Sequence, residues 1–405
     1  MKKIKISIGP GFIITSAFIG PGTITLCTLS GIDFGYSLIW CIVFSIIATS
    51  YLQELSARIG VISRLGLGDI FKSNSNNLIK NVFFVFVFLS LFIGNSAYES
   101  GNISGTVMGI ETFTGSGMVH VLGNEINILS VLVALILISI IIYGSYNLFE
   151  KALVGLVFTM SITFIVTAIL SKPDLREIFN GLVPRINDGN FIYVIGLIGT
   201  TVVPYNLFLH SYVAKKKWKS KKEYKSSIID TCFSIFIGGI ISIAIIITSA
   251  GARGLIDGNE VKNAVDIGKQ LSPFLGDFSK YFISIGLLSA GITSSITAPV
   301  ATSYALSSIF NYKPEWKDKS FKLVSVIVII IGSVSSSISY NPIYIIKLAQ
   351  FINGLFLPII GISLLWAVNQ STFLGKNVNT TYYNGIGILI IILSVFISLR
   401  SMSLL

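Results

Sequence analysis

The sequence predicts an all-α membrane protein of eleven transmembrane helices, built as two inverted five-helix repeats with broken helices 1 and 6. Three observations predict it. First, 53% of the 405 residues are hydrophobic and only 12% are charged, with a mean hydropathy of +0.81. A soluble domain carries about 25% charged residues. Second, apolar runs of about 20 residues, the length that crosses a bilayer, recur along the chain. Third, two of these runs are interrupted, at Gly20-Pro21-Gly22-Thr23 and at Val203-Pro204-Tyr205-Asn206. Breaks inside a bilayer free backbone polar groups and are tolerated only where protein or a hydrated cavity surrounds them.

The predicted spans run in order as Ile8–Ser30, Tyr36–Leu55, Val82–Met108, Ile126–Tyr143, Leu153–Leu170, Phe191–Tyr212, Ile228–Ala250, Phe282–Ile309, Leu323–Ile338, Tyr344–Val368 and Tyr383–Leu399. Helix 1 follows Lys2, Lys3 and Lys5, and its run continues as a full span without a small-residue cleavage site, so no signal peptide is expected. Glu54 and Arg58 stand one helical turn apart near the cytoplasmic end of helix 2, a spacing of i,i+4 that suits an ion pair. Helix 3 carries Asn95, Tyr98 and Glu99, and Glu99 is the main ionisable group well inside an apolar segment. An intramembrane ionisable residue reads as functional by default; a hydrogen bond to Asn95 or Asn102 is the structural alternative. Helix 6 carries the second break and, toward its inner end, His210, read either as a proton-linked gate residue or as a packed polar side chain. Helix 8 holds a Ser/Thr-rich stretch, 292–302, suited to lining a cavity, holding Na⁺ or packing closely.

Loop charges set the orientation. Lysines and arginines gather before helix 1, between helices 2 and 3 (Arg58, Arg64, Lys72, Lys80), after helix 6 (Lys215 to Lys225) and after helix 8 (Lys313 to Lys322). All four groups fall on one side of an eleven-span chain, which places the N-terminus in the cytoplasm and the protein in the cell membrane. The net charge of +11 therefore reads as topology and lipid-headgroup attraction, and no nucleic acid is expected. Cys27, Cys41 and Cys232 all lie inside apolar runs and read as packed thiols. No Walker A, HExxH or nucleophile-elbow motif occurs, so neither ATP coupling nor an enzyme is expected.

Helices 1 and 6 stand five spans apart, the spacing of inverted repeats. Residues 1–405 then form one domain, with repeat one at 8–170, repeat two at 191–368 and a peripheral helix at 383–399. Interrupted spans at matching positions of two halves point to a solute site at the midplane.

Two long segments resemble the NRAMP family of divalent-metal transporters: GPGFIITSAFIGPGTITLCTLSGIDFGYSLIW with LQELSARIG, and FEKALVGLVFTMSITFIVTAILSKPD running to VIGLIGTTVVPYNLFLHS. The resemblance implies the LeuT fold and a metal site at the two breaks. The departures fall at that site. Where the family has Asp-Pro-Gly-Asn, this chain has Gly20-Pro21-Gly22-Thr23. Where it has Met-Pro-His, the chain has Val203-Pro204-Tyr205. Asn95 and Tyr98 occupy the positions of a family Asp and Glu on a proton route, and Phe356 aligns with a family Gln near the metal.

Transition-metal sites use soft sulfur or imidazole and charge-compensating carboxylates, and the substituted residues supply neither sulfur nor charge. Without the Asp, the half-helix starting after Pro21 presents a positive end of about half a charge, which suits an anion. Thr23, Tyr205, Asn206 and Asn353 would complete the oxyanion site. Other roles stay open: Thr23 and Thr25 as back-bonders to their own helix, and Tyr205 as a replacement for the missing His volume. No Lys or Arg lies near the breaks, favouring a small singly charged anion or a zwitterion over phosphate or sulfate.

The expectation is a secondary transporter importing a small anion such as bicarbonate, coupled to Na⁺ or H⁺. The substrate-binding residues are Gly20, Pro21, Gly22, Thr23, Val203, Pro204, Tyr205 and Asn206. The coupling or gating residues are Asn95, Tyr98, Glu99 and His210. No cofactor and no protein metal site are expected, and the protein is expected to be a monomer in the lipid bilayer. The alternatives are Mn²⁺ or Mg²⁺ transport and a non-transporting membrane sensor.

Overall fold

The fold is described from a computed structural model at residues 19–73, 77–121, 123–144, 147–254, 261–338 and 341–402. The predicted first half of helix 1, from Ile8 to Phe18, lies outside them. The chain is almost wholly helical. Its elements are α1 Pro21–Phe34, α2 Ile39–Arg58 (running on as a π turn, Ile59–Ser63), α3 Leu67–Lys72, α4 Asn77–Thr114, β1 Met118–Val121, β2 Asn124–Asn127, α5 Ile128–Tyr143 and α6 Asn147–Leu170. There follow α7 Leu175–Asn180, α8 Phe191–Thr201, α9 Pro204–Lys217, α10 Tyr224–Gly251, α11 Ala264–Gly268, α12 Ser272–Leu275, α13 Ser279–Phe310, α14 Lys319–Ser337, α15 Pro342–Val368, α16 Ser371–Leu374 and α17 Thr381–Met402.

Eight helical stretches among the described residues are long and apolar enough to span a membrane, and Ile128–Tyr143 and Val157–Leu170 are shorter apolar helices. With α1 as the second half of the first span, the eleven expected spans each have a helix. Span 6 divides into α8 and α9 at Val202-Val203. Both half-helices after a break begin with proline, at Pro21 and Pro204. Proline suits that position because its ring presets φ and its missing N–H would have no helical acceptor.

The connection between spans 3 and 4 was expected to be a plain loop. It is instead a two-stranded antiparallel hairpin pairing Met118 with Asn127, turned at Gly123, whose φ of +82° favours glycine. Asn127 closes it: its Oδ1 accepts from Leu129 N at 3.0 Å, and its Nδ2 donates to Glu111 Oε1 at 2.8 Å. This cap delays the helix start from Ile126 to Ile128.

Side-chain bonds tie each end of the bundle together. At one end, Arg64 donates to the Trp218 carbonyl, Ser308 donates to Asp69 Oδ1 at 2.7 Å, and Lys322 donates to the Ile142 carbonyl at 2.6 Å. These are the loops expected to share a side. At the other end, Tyr193 donates to Asp33 Oδ2 at 2.5 Å, Lys347 Nζ lies 3.4 Å from the Tyr193 hydroxyl, and Arg253 donates to the Asp33 carbonyl at 3.2 Å. Glu54 and Arg58 form the expected ion pair at 2.7 Å, with side chains 7% and 9% exposed. Arg58 also donates to Asn379 Oδ1 at 2.7 Å, which compensates the burial of its charge. Cys27 and Cys41 are buried free thiols and Cys232 is half-buried.

Candidate functional site

The site forms where the two breaks meet. Gly20 precedes α1 in extended backbone (φ −102°, ψ −174°), and no side chain caps the helix start. Val203 precedes α9 in the same way, again without a side-chain cap. Neither half-helix has an acidic residue in its first turn. Two helix starts thus present the positive ends of their dipoles with no carboxylate in their first turns.

Direct contacts join the breaks. The Thr23 and Thr200 hydroxyls lie 2.8 Å apart, both fully buried. The Tyr98 and Tyr205 rings pack edge to face with centroids 5.4 Å apart. A Cβ added at Gly20 would lie 2.8 Å from Ser294 Oγ and 3.6 Å from Tyr98 Oη. Ser294 of α13 and Tyr98 of α4 thus fill the space that a side chain at position 20 would take. At Gly22 a Cβ would fall onto the Gln350 amide, so glycine is required there for α15 to approach.

Two buried polar atoms around the breaks, Asn206 Oδ1 and Gln350 Oε1, have no hydrogen-bond partner among the described residues, and both residues are 1% exposed; the Tyr205 hydroxyl stands beside that of Tyr98. Buried polar groups are normally satisfied, so these mark a place where something else supplies the partner.

The expected site residues divide accordingly. Gly20, Pro21, Gly22, Thr23, Val203, Pro204, Tyr205 and Asn206 are all buried at the two breaks, and Tyr98 joins them. Asn95 does not point to an orphan: its Nδ2 donates to Thr302 on α13 at 2.5 Å. Glu99 faces away from Tyr98, toward α14, where a Cβ at Gly332 would lie 2.6 Å from its Cγ. His210 lies further along α9, fully buried, its Nε2 3.0 Å from Thr231 Oγ1 on α10. Phe356 packs toward Gly94 of α4, with a ring carbon 3.1 Å from a Cβ placed there, and Asn353 Oδ1 lies 3.8 Å from the same point. Neither residue faces Gly22 as Gln350 does. Gln350 was not among the expected site residues; its signal was an amide six residues before Phe356 and three before Asn353, in a mostly apolar helix.

Among the described residues no group of three or more His, Cys, Asp or Glu is placed to hold a metal. The donors that converge on the breaks are neutral hydroxyls and amides.

Broken spans that enclose a buried polar site within a helical bundle define a membrane transporter. The model of the "Natural resistance-associated macrophage protein-like" family matches residues 11–403. The chain belongs to this Nramp family. It is 26% identical over 412 residues to the "Divalent metal cation transporter MntH" of Nostoc sp., covering 97% of this chain and 90% of that one. It is 27% identical over 311 residues to the "Natural resistance-associated macrophage protein 2 homolog" of Dictyostelium discoideum, where the match takes in 74% of this chain and 48% of that longer protein. Among solved structures, a mutant of the Eremococcus coleocola manganese transporter superposes over 99% of this chain and 87% of its own (TM-score 0.77, 18% identity). Mhp1, a nucleobase-cation-symport-1 family transporter, covers 88% of this chain and 77% of its own (TM-score 0.52, 15% identity). These structural likenesses carry the fold.

Proposed function

We propose that this chain is a secondary transporter whose cargo, bound between the two breaks, is a small singly charged anion of the bicarbonate type. The observation that carries this is the pairing of two uncapped, acid-free half-helix starts over one buried polar site. A helix start offers backbone N–H groups and positive potential to an anion. Tyr98, Tyr205 and Thr23 hydroxyls can donate to its oxygens, and the Gln350 and Asn206 amides can turn to do the same. With no arginine or lysine at the breaks, the site compensates about one negative charge, which disfavours sulfate and phosphate. Moving an anion into a negative interior requires a cation gradient, so coupling to Na⁺ or H⁺ is part of the proposal.

The relatives favour a second reading. The Nostoc relative is named a divalent metal cation transporter and the Eremococcus coleocola structure is that of a manganese transporter, so a divalent metal cation is the alternative cargo. It would have to be held by neutral oxygens, with no carboxylate to offset a double charge in a medium where charge is costly. The Thr201 carbonyl at the end of α8 already has the Thr49 hydroxyl 3.5 Å away.

Flux into proteoliposomes separates the readings. Concentrative uptake of labelled bicarbonate, with no Mn²⁺ quenching of a trapped dye, is the expected outcome. Saturable Mn²⁺ or Mg²⁺ entry without anion uptake would overturn it.

A further inference from the structure

One buried carboxylate is not used by the cargo site. Glu99 is fully buried on α4 and makes no ion pair among the described residues; the four salt bridges found there involve other side chains. Its Oε2 accepts a long bond of 3.4 Å from Asn102 Nδ2. Asn102 Oδ1 is buried without a hydrogen-bond partner among the described residues, and Glu99 Oε1 has no donor beside it other than the Ser295 hydroxyl. Asn102 is i+3 from Glu99 and shares its face of α4. Ser295 comes from α13, one turn beyond Gly291, which packs against the Asn102 backbone. Gly332 of α14 closes the third side, where a Cβ would collide with Glu99.

We propose that Glu99, Asn102 and Ser295 form a sodium-ion site between α4, α13 and α14, distinct from the cargo site. The proposal rests on the reading of this chain as a cation-coupled transporter. The donor balance decides the ligand class. Acceptor oxygens converge here with too few donors, and a single proton on Glu99 can satisfy only one of them. A hard cation satisfies several oxygens at once. One carboxylate balances a single positive charge, whereas a divalent ion would leave a net charge buried in the bundle. The close walls at Gly291 and Gly332 suit a small ion.

The position also explains how such an ion would act on the cargo. Tyr98 and Glu99 are consecutive on α4, and Ser294 and Ser295 are consecutive on α13. Tyr98 and Ser294 border Gly20 at the break, whereas Glu99 is the carboxylate and Ser295 stands beside it. Ordering one side of each helix therefore sets the other. A seam of hydroxyls gives the ion a route: Ser336, one turn from Gly332 on α14, lies 2.9 Å from Ser104 Oγ and 3.0 Å from Ser130 Oγ, at the start of α5.

The test is thermal unfolding of the purified full-length protein in detergent, titrated with sodium gluconate against choline gluconate at constant ionic strength. Wild type should show a saturable rise in melting temperature with Na⁺ that choline and K⁺ do not reproduce. Glu99→Gln should weaken apparent Na⁺ affinity at least about tenfold. The pair Asn102→Ala with Ser295→Ala provides the same readout if Glu99→Gln does not fold. Since Na⁺ binding is read without any cargo, absence of bicarbonate flux would defeat the functional reading and leave this result standing. An unchanged Na⁺ response in Glu99→Gln, or a wild-type melting temperature that follows pH but ignores Na⁺, overturns the sodium site.

Discussion

Gly20→Asp restores the carboxylate that this chain lacks at its first break, and its consequence can be worked from the geometry. Gly20 has φ −102°, so an L-residue fits the backbone without strain. The new Cβ would press on Ser294 Oγ at 2.8 Å, a hydroxyl that can rotate aside. The carboxylate would then stand beside the start of α1. An anion about 4 Å away would meet a repulsion of about 4 kcal/mol at an effective dielectric of 20. That is about a thousandfold loss of affinity. Gly20→Asn adds the same bulk without the charge and separates sterics from electrostatics. The assay is bicarbonate uptake into proteoliposomes at several concentrations, run beside Mn²⁺ entry. Loss of anion uptake in Gly20→Asp, with a much smaller loss in Gly20→Asn, is expected. Equal losses in both variants, or undiminished uptake in Gly20→Asp, would refute the electrostatic argument.

Other perturbations probe the scaffold. Thr23→Val removes the 2.8 Å contact with Thr200 and leaves a buried hydroxyl short of a partner, costing about 1–3 kcal/mol, read as a lower melting temperature. Glu54→Ala strands the buried Arg58 guanidinium and should destabilise by about 3–5 kcal/mol, whereas replacing both members by apolar residues of similar volume should cost much less; chemical denaturation of the two variants tests the difference. Asp33→Asn or Tyr193→Phe weakens the bond that links α1 to α8. A loss of about 1 kcal/mol would ease separation of these two helices about fivefold. The readout is faster labelling of Thr200→Cys by an impermeant thiol reagent in a background without native cysteines.

The bilayer explains why so much was legible in the sequence. Span length and the cost of a broken backbone act locally, so the spans and both breaks stood out as runs and interruptions. Facing is different, because it depends on which helix packs where. Consecutive helical residues point about 100° apart, and that angle sends Tyr98 to the break and Glu99 to α14, although both read as one polar patch in helix 3. The same limitation drew attention to Phe356, anchored by nearby Pro358, when the residue that reaches Gly22 is Gln350, two turns earlier. The β1–β2 hairpin escaped because its strands are four residues each and its signals, Gly123 and the Asn127 cap, resemble those of any loop before a helix.

Family membership and cargo chemistry separate at this site. The family model matches residues 11–403, which fixes the family and not the cargo. On the proposed reading, what sits at the breaks depends on Gly20, Thr23, Val203 and Tyr205. A carboxylate at the first break would cancel the dipole of α1 and favour cations; a glycine leaves it exposed. The chain's one deeply buried acid without an ion-pair partner among the described residues is instead a helix face away, at Glu99. On the proposed reading, negative charge lies in a pocket beside the cargo position rather than at it. Such an arrangement suits a transporter in which the driving cation and the cargo carry opposite charge: each site compensates its own ion, and the attraction between the two occupants favours their joint occupancy. Ligand binding alone can test this, since Na⁺ should tighten bicarbonate binding and bicarbonate should tighten Na⁺ binding by the same factor. Unequal factors, or no mutual effect, would mean that the two pockets are not linked through α4 and α13.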